Sequence, residues 1–259
     1  MHRSPENTER QTEGVAAMLS KAARPLFFTG AGISTGSGIP DFRGPKGIWK
    51  SRKPVYYQEF LASETARIEH WDYKLEGFEQ FRNAKPNKAH FALAELEGLG
   101  RLDSLVTQNI DGLHEQAGNS SVIELHGTNR WVECVECGNR TEPEPAFREF
   151  RETRACPRCE CGGYLKTATI SFGQQMPERL LEQAFEAAEK ADLVVAIGST
   201  LEVHPAASVP LAAARKGVPY VIINRGPTAQ DRQASVRIEG DVNVLIPEIV
   251  ERLKKILRE

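Results

Sequence analysis

LFFTGAGISTGSGIPDFRG, residues 26–44, is the stretch that decides the fold predicted for this chain. Its apolar start, residues 26–28, gives way at Thr29 to a Gly-x-Gly turn made by Gly30 and Gly32. This pattern predicts a buried strand that ends where the backbone must pass close to a neighbour. Because glycine has no Cβ, its N–H groups can face phosphate oxygens, so the turn is a candidate nucleotide site.

The turn departs from the ordinary dinucleotide fingerprint, G-x-G-x-x-G. Thr35 stands where the third glycine is expected, and residues 45–60, which we predict to be loop, offer no clear acidic residue about 20 positions further on. Taken alone, the segment Gly30-Ala31-Gly32 fits a purely structural turn equally well. We therefore expect a nucleotide-like ligand that is bound in a non-standard way.

The length and charge of the chain limit its class. Its 259 residues are enough for one large core or for a large and a small domain. With a net charge of −2 there is no basic excess to suggest a nucleic-acid surface, and no apolar run approaches the roughly 18 residues of a membrane-spanning helix. The polar N-terminus lacks the apolar core of a secretory signal, so we expect a cytoplasmic protein whose residues 1–11 form a disordered tail.

Apolar strands alternate with amphipathic helices along most of the chain. We predict strands at residues 26–28, 105–106, 122–125, 192–197 and 219–223, and helices at residues 12–23, 87–98, 178–190, 205–216 and 246–258. Such alternation is typical of an α/β fold, a parallel sheet covered by helices on both faces. Residues 45–85 hold eight of the 19 aromatic side chains and predict short helices with a flexible loop.

Small or polar residues follow four of the predicted strands, in clusters that begin at Gly30, Gln108, Gly198 and Asn224. In open α/β sheets ligands bind beyond the carboxyl ends of the strands, so all four clusters are expected to converge on one site. Gln108, Asn109 and Asp111 suit the carboxamide of a nicotinamide ring, and Asn224 suits a ribose hydroxyl. The alternative is that these side chains only stabilise turns.

Two further candidates lie outside these clusters. The loop of Asp41, Phe42 and Arg43 could cover a planar ring and pair with phosphate, the alternative being a surface ion pair beside a buried ring. His126 ends an apolar strand and precedes Gly127, which makes it the best placed of the six histidines for a general base. A structural histidine is the alternative, but the position at the end of a strand favours catalysis.

The five cysteines are confined to a short part of the chain. Cys134 and Cys137 form a Cys-x-x-Cys pair, and Cys156, Cys159 and Cys161 follow about 20 residues later. Two thiolate pairs at this spacing predict a tetrahedral structural zinc site with no open position for chemistry. Because five cysteines are available for four positions, the spacing alone leaves the second pair undecided.

Together these motifs resemble the sirtuins, NAD-dependent protein lysine deacylases. The resemblance rests, in uninterrupted order, on GAGIS (30–34), GIPDFRG (38–44), TQNIDGLH (107–114), ELHG (124–127), the paired cysteines, SFGQQMP (171–177), GSTLEVHPAA (198–207) and INRG (223–226). It implies a large Rossmann-like domain from residues 12–44, 86–129 and 169–258, and a small zinc-binding and helical domain from residues 45–85 and 130–168. NAD and an acyl-lysine peptide would bind in the cleft between the two domains.

The resemblance also implies roles for the candidate residues. His126 would be the general base, with Asn109 as a second catalytic residue. NAD would be bound by Gly30, Ala31, Gly32, Thr35, Asp41, Phe42, Arg43, Gln108, Asn109, Ile110, Asp111, Gly198, Ser199, Thr200, Asn224, Arg225 and Val242. The substrate peptide would add as a strand beside Phe172, Gly173, Leu201, Glu202 and Val203. Zinc would be bound by Cys134, Cys137, Cys159 and Cys161, with Cys156 as the alternative to Cys159.

The implied reaction transfers the acetyl group of acetyl-lysine to ADP-ribose and releases nicotinamide, without hydride transfer. We expect a monomer that acts on acetylated lysine in proteins or peptides and binds neither membranes nor nucleic acid. Acetyl is expected to be preferred over succinyl or malonyl, because the Tyr-x-x-Arg pair of some bacterial members is absent between residues 45 and 85. The alternative functions are mono-ADP-ribosyl transfer and a non-enzymatic, zinc-stabilised nucleotide sensor.

Overall fold

A parallel β-sheet forms the centre of the structure, a computed structural model that describes residues 5–42, 47 and 52–259. The strands are β1 (Pro25–Thr29), β2 (Ser104–Thr107), β3 (Val122–Glu124), β4 (Gly127–Cys134), β5 (Arg140–Thr141), β6 (Leu165–Thr169), β7 (Leu193–Ile197), β8 (Tyr220–Asn224) and β9 (Val236–Glu239). Six of them form the parallel sheet in the order β3-β2-β1-β7-β8-β9. The strand order reverses between β1 and β7, and such a reversal opens a crevice at the carboxyl ends of the strands.

Helices cover both faces of this sheet, as the alternating pattern predicts. They are α1 (Pro5–Lys21), α2 (Tyr57–Ala62), α3 (Glu64–Asn83), α4 (Lys88–Gly98), α5 (Leu113–Ala117), α6 (Pro143–Thr153), α7 (Glu178–Lys190), α8 (Ser208–Arg215) and α9 (Val242–Ile256). Helices α1, α4 and α9 pack on one face, and α7 and α8 pack on the other. The predicted α/β class is therefore confirmed. No described helix combines the length and the apolar character that crossing a membrane requires.

A second, antiparallel sheet has the strand order β5-β4-β6. An aromatic core joins it to α3 and α6. The ring of Phe78 stacks on Phe147 with 3.9 Å between centroids, and Trp71 Nε1 donates a hydrogen bond of 3.1 Å to the Leu165 carbonyl. This sheet lies in the part of the chain predicted to form the small zinc-binding and helical domain, whose boundaries stay a prediction.

The N-terminus differs from the sequence prediction. Helix α1 begins at Pro5 and not at Thr12, so the predicted disordered tail is wrong from Pro5 onward. Proline suits the first turn of a helix because its missing N–H would have no partner there. Arg252 in α9 forms ion pairs with Glu9 and Glu13, which attach these early turns to the body of the protein.

Helix α3 is the second difference. The sequence predicted only short helices in this region, yet α3 runs from Glu64 to Asn83 without a break. Ser63 caps its first turn by accepting the N–H of Ala66 at 3.3 Å. Apolar residues do not form one stripe along α3, because one side packs on α6 and another faces a cleft between the two sheets.

Candidate active site

A cleft of about 1060 Å³ lies between the two sheets, at the carboxyl edge of the parallel one. Its volume is just above the roughly 300–1,000 Å³ typical of small-molecule sites. The four strand-end clusters do converge here. The predicted site residues that line the cleft are Gly30, Ala31, Gly32, Asp41, Phe42, Gln108, Asn109, Ile110, Asp111, His126, Phe172, Gly173, Gly198, Ser199, Thr200, Val203, Asn224 and Arg225.

The other predicted site residues are placed differently. Arg43 lies outside the described residues. Thr35 is exposed, and its hydroxyl turns back to the backbone of its own turn. Leu201 is buried in the core beneath the cleft, Val242 is buried at the start of α9, and Glu202 is exposed to solvent.

The glycine turn after β1 packs against the turn after β7. The N–H groups of Gly30 and Gly32 donate to the carbonyls of Ile197, at 3.0 Å, and Gly198, at 2.7 Å. A Cβ on Gly32 would lie 2.7 Å from the Gly198 oxygen, and Gly198 itself has a φ of +63° that favours glycine. The contact of two backbone segments therefore requires these glycines, whose own N–H groups donate to these carbonyls, and their role in binding NAD stays a prediction.

Asn109 and Asp111 are buried around the hydroxyl of Ser34. That hydroxyl donates to the Asp111 carboxylate at 2.6 Å and accepts from Asn109 Nδ2 at 3.1 Å. Burial raises the pKa of Asp111, and the hydrogen bonds from Ser34 and from the Leu113 N–H oppose the rise. The Leu113 contact also shows that Asp111 stabilises its turn, as the alternative interpretation held. Sequence reasoning missed Ser34, because a serine in a glycine-rich loop carries no distinguishing signal.

His126 lies at the crossing from β3 to β4. Its Nδ1 is 2.9 Å from the carbonyl oxygen of Gln108. Because a carbonyl only accepts, Nδ1 carries the proton of the neutral ring, and Nε2 is then the basic nitrogen. The Gln108 side chain donates to Ser199 Oγ at 2.8 Å, so two strand-end clusters are joined beside the histidine.

A row of buried polar side chains supports the site from below. The Thr29 hydroxyl lies 2.8 Å from Thr107 Oγ1 and 2.9 Å from His114 Nε2, and Thr107 Oγ1 accepts the N–H of Asn109 at 3.0 Å. The ring of His90 lies 4.9 Å from that of His114. Burial lowers the pKa of His114 to about 3 and that of His90 to about 4, so both rings are neutral at pH 7. Sequence reasoning missed this support, because nothing in the sequence shows that these groups meet.

Asn224 closes the turn after β8 while it lines the cleft. Its Nδ2 donates to the carbonyls of Arg225 and Gly226, both at 3.2 Å. The neighbouring Arg225 side chain forms an ion pair of 3.0 Å with Asp241. The turn-stabilising interpretation of Asn224 is therefore correct, and its exposure to the cleft leaves a ligand contact open as well.

Four thiols converge at the end of the antiparallel sheet. The Sγ atoms lie within 4.8 Å of one another and belong to Cys134, Cys137, Cys159 and Cys161. Cys156 is buried instead in the aromatic core between this sheet and α3. Four sulfur ligands from two loops fit a tetrahedral zinc ion, and the structure decides the second pair in favour of Cys159.

Comparison with known proteins places the chain among relatives over nearly its whole length. The model of the Sir2 family matches residues 30–205. The chain is 43% identical to an NAD-dependent protein deacetylase of Thermodesulfovibrio yellowstonii, covering 92% of this chain and 93% of that protein. It is also 43% identical to an NAD-dependent protein deacetylase of Rhodopseudomonas palustris, covering 89% of this chain and 92% of that protein.

Solved structures agree with these relatives. A structure described for the mechanism and regulation of Sir2 enzymes superposes with a TM-score of 0.86 at 36% identity, covering 96% of this chain and 99% of the other. A complex of Sir2 with p53 peptide and NAD+ gives a TM-score of 0.82 at 34% identity, covering 95% and 96% of the two chains. The resemblance to the sirtuins is thus confirmed, and this chain belongs to the Sir2 family.

Proposed function

We propose that this chain is an NAD-dependent protein lysine deacetylase, which transfers the acetyl group of acetyl-lysine to ADP-ribose and releases nicotinamide. The observation that carries the proposal is His126, whose Nδ1 is fixed by the Gln108 carbonyl at the wall of a nucleotide-sized cleft. The relatives named NAD-dependent protein deacetylases and the Sir2 complex with peptide and NAD+ support the same activity.

Buried polar side chains in the cleft match the hydrogen-bonding groups of NAD. Asn109 presents its amide oxygen, because its Nδ2 already donates to Gly30 and Ser34, and Asp111 presents a carboxylate; both can accept from the N–H groups of the nicotinamide carboxamide. Ala31 and Ser199 lie at the reversal of strand order, where α/β sheets bind phosphates. Asn224, at the next strand end, is placed for the adenosine half. Phe42 covers the nicotinamide side of the cleft.

His126 performs the proton transfer. When bound, NAD would supply an ADP-ribose unit that accepts the acyl group as nicotinamide leaves, and one water would be consumed, so that the ribose carbon ends with a hydroxyl in place of nicotinamide. His126 Nε2 takes the proton of a ribose hydroxyl, so that the acyl group passes to this oxygen and lysine is released. Gln108 prepares the step, because its carbonyl keeps the proton on Nδ1 and the lone pair on Nε2. Phe42 excludes water that would otherwise compete with the peptide.

Zinc has a structural role in this proposal. Cys134, Cys137, Cys159 and Cys161 supply four sulfur ligands, which complete the coordination of a tetrahedral ion. No position remains for a substrate or for a reactive water. The metal therefore stabilises the antiparallel sheet and takes no part in the acyl transfer.

The remaining proposals concern the state of the protein in the cell. We place it in the cytoplasm, because five cysteines without a disulfide suit a reducing compartment. We propose a monomer that binds acetylated peptides as an added strand between Phe172-Gly173 and Val203, which line the cleft from opposite sheets. Light scattering of the purified protein tests the monomer, and cell fractionation tests the location.

The test of the function replaces the proposed base. We expect His126→Ala to lower the formation of deacetylated peptide from acetyl-peptide and NAD by at least about 100-fold, the size of a general-base contribution. The melting temperature of the variant serves as the control for folding. Turnover near the wild-type level would contradict the proposal. Transfer of ADP-ribose label to protein without loss of acetyl from the peptide would favour the ADP-ribosyltransferase instead.

A further inference from the structure

Arg237 connects the last strand of the parallel sheet to the turn that follows β8. It lies on β9, and its Nη1 donates a hydrogen bond of 3.1 Å to the Asn224 carbonyl. Its Nη2 donates to the Gly226 carbonyl in the same turn. Only 13% of the Arg237 side chain is exposed, so these charge-assisted bonds are largely shielded from water. One guanidinium group therefore fixes both ends of this turn.

The same turn decides which atom Asn224 offers to a ligand. Its Nδ2 donates to the carbonyls of Arg225 and Gly226, both at 3.2 Å. The N–H groups of the carboxamide are thus used within the protein, and Oδ1 is the acceptor that Asn224 offers to a donor in the cleft. Because Arg237 holds the Gly226 carbonyl to which Nδ2 donates, it also fixes the direction of Oδ1.

A carboxylate holds Arg237 in turn. Asp231 lies in the β8–β9 loop, residues 225–235, and forms an ion pair of 2.9 Å with Arg237 Nε. The N–H and the hydroxyl of Thr228 donate to the same carboxylate at 3.2 Å and 2.7 Å. Burial alone would raise the pKa of Asp231, but the hydrogen bonds from Thr228 and Arg237 lower it, so the carboxylate stays charged. The loop is thus ordered by its own side chains and by Arg237.

The β8–β9 loop also supports a second turn of the cleft. The Ala229 N–H donates to the Thr200 carbonyl at 2.9 Å, which joins the loop to the turn after β7. Thr200 and Asn224 both line the cleft, whereas within the described chain Arg237 is not part of its lining. An effect of Arg237 on a ligand must therefore act through these two residues.

We infer that Arg237 positions Asn224 and Thr200 for the adenosine half of NAD, and so sets the affinity of the site for the dinucleotide without contributing to acyl transfer. The inference rests on the proposed function. Strands β8 and β9 are separated by β1 and β7 from β2 and β3, which the proposed catalytic residues Asn109 and His126 follow. A loop that is already ordered costs less free energy on binding than one that the ligand must order. Loss of Arg237 should therefore weaken binding and leave the chemistry intact.

The test measures binding and turnover separately, with ADP-ribose as the probe for binding. We expect Arg237→Met to raise the Kd for ADP-ribose, measured by calorimetry, and the KM for NAD by at least about tenfold. At saturating NAD, kcat for an acetyl-peptide should stay within about twofold of the wild type, because only binding is lost. Arg237→Lys keeps the charge but not the fork of donors, so its Kd should lie between the two. An unchanged Kd in Arg237→Met, or a fall in kcat with an unchanged KM for NAD, overturns the inference.

Arg252→Met is the matched control for a general loss of structure. It removes another arginine with several partners, since Arg252 pairs with Glu9, Glu13 and Glu248. All four residues lie outside the described lining of the cleft. We expect this variant to have a lower melting temperature and the Kd of the wild type for ADP-ribose. An equal rise of the Kd in Arg252→Met and Arg237→Met would overturn the inference.

Failure of the inference can be told apart from failure of the proposed function. If the wild type binds ADP-ribose and deacetylates the peptide but the Arg237 variants keep its Kd, only the inference is wrong. If the wild type does neither, both are wrong. If Arg237→Met does not fold, Arg237→Lys decides the matter, because a wild-type Kd in that variant would overturn the inference.

Discussion

The two sheets of this protein are stabilised in different ways. Strands β1, β7 and β8 of the parallel sheet are buried at every residue between two layers of helices. The antiparallel sheet has an exposed strand, β5, buries only part of β4, and is buried at every residue only in β6. Here four thiols and an aromatic core supply the stability that burial supplies in the parallel sheet. The parallel sheet thus depends on its apolar pattern, and the antiparallel sheet depends on a few particular side chains.

Removal of the metal should produce the largest difference in stability between the two sheets. Structural zinc contributes about 10–16 kcal/mol of apparent binding energy in small zinc domains, so a chelator should unfold the antiparallel sheet. All three tryptophans, Trp49, Trp71 and Trp131, belong by sequence to the predicted small domain. We expect chelation to change the tryptophan emission while far-UV circular dichroism keeps most of its helical signal.

Two cysteine variants test the same point with the metal present. Cys137→Ala should lose bound zinc, because its thiol belongs to the cluster, whereas Cys156→Ala should keep one zinc per chain. The metal content is measured by atomic absorption. Unchanged emission and full activity in the metal-free protein would contradict a structural metal.

The parallel sheet should be most sensitive at its glycine turn. We expect Gly32→Ala to lower the free energy of unfolding by about 3 kcal/mol, because the new Cβ would clash with the backbone of Gly198. Gly14→Ala is the matched control, since Gly14 lies inside α1 and a Cβ added there would meet no packed neighbour within 4 Å. It should raise stability by about 1 kcal/mol. Urea denaturation measures both, and equal stability of the two variants would refute the contact argument.

Acid is expected to have a smaller effect per residue. The pKa values of His90 and His114 in the folded protein lie below the unfolded value of 6.5, so the stability that the neutral rings provide is lost as pH falls below 6.5. At pH 5 the loss should be up to about 2 kcal/mol per histidine. Urea denaturation at pH 7 and pH 5 measures it. The double variant His90→Asn with His114→Asn should reduce this pH dependence and leave the share of buried His70, whose pKa is also lowered; an unchanged slope would contradict the assignment.

The sequence predicted the parallel sheet more completely than the rest of the fold. Strands buried on both faces are apolar throughout, so each central strand was located to within a residue or two of its bounds. Strand β9 was missed, because Ile238 is its only buried residue. The full length of helix α3 was not predicted. Its residues pack on two sides of the helix, so its apolar residues do not repeat with a helical period. The start of α1 was missed because ion pairs with Arg252, distant in sequence, stabilise it.

The sequence predicted those site residues that directly follow a strand. Asn109, Asp111 and His126 follow strands and could be located from that position alone. Ser34 could not, because its place beside Asn109 and Asp111 depends on elements that meet only in the folded chain. The backbone contacts of Gly30 and Gly32 were not predicted for the same reason, since their partners lie at and after the end of β7.

The crossing from β3 to β4 has a mechanical consequence. His126 stands between the last residue of one sheet and Gly127, the first residue of the other, and its carbonyl accepts the N–H of Ile170 on the returning chain at 2.8 Å. Two neighbouring connections between the sheets are therefore bonded to each other at this point. A body that rotates about a hinge moves least at its axis. If the sheets separate to admit a peptide, the outer walls of the cleft travel furthest and His126 stays nearly still.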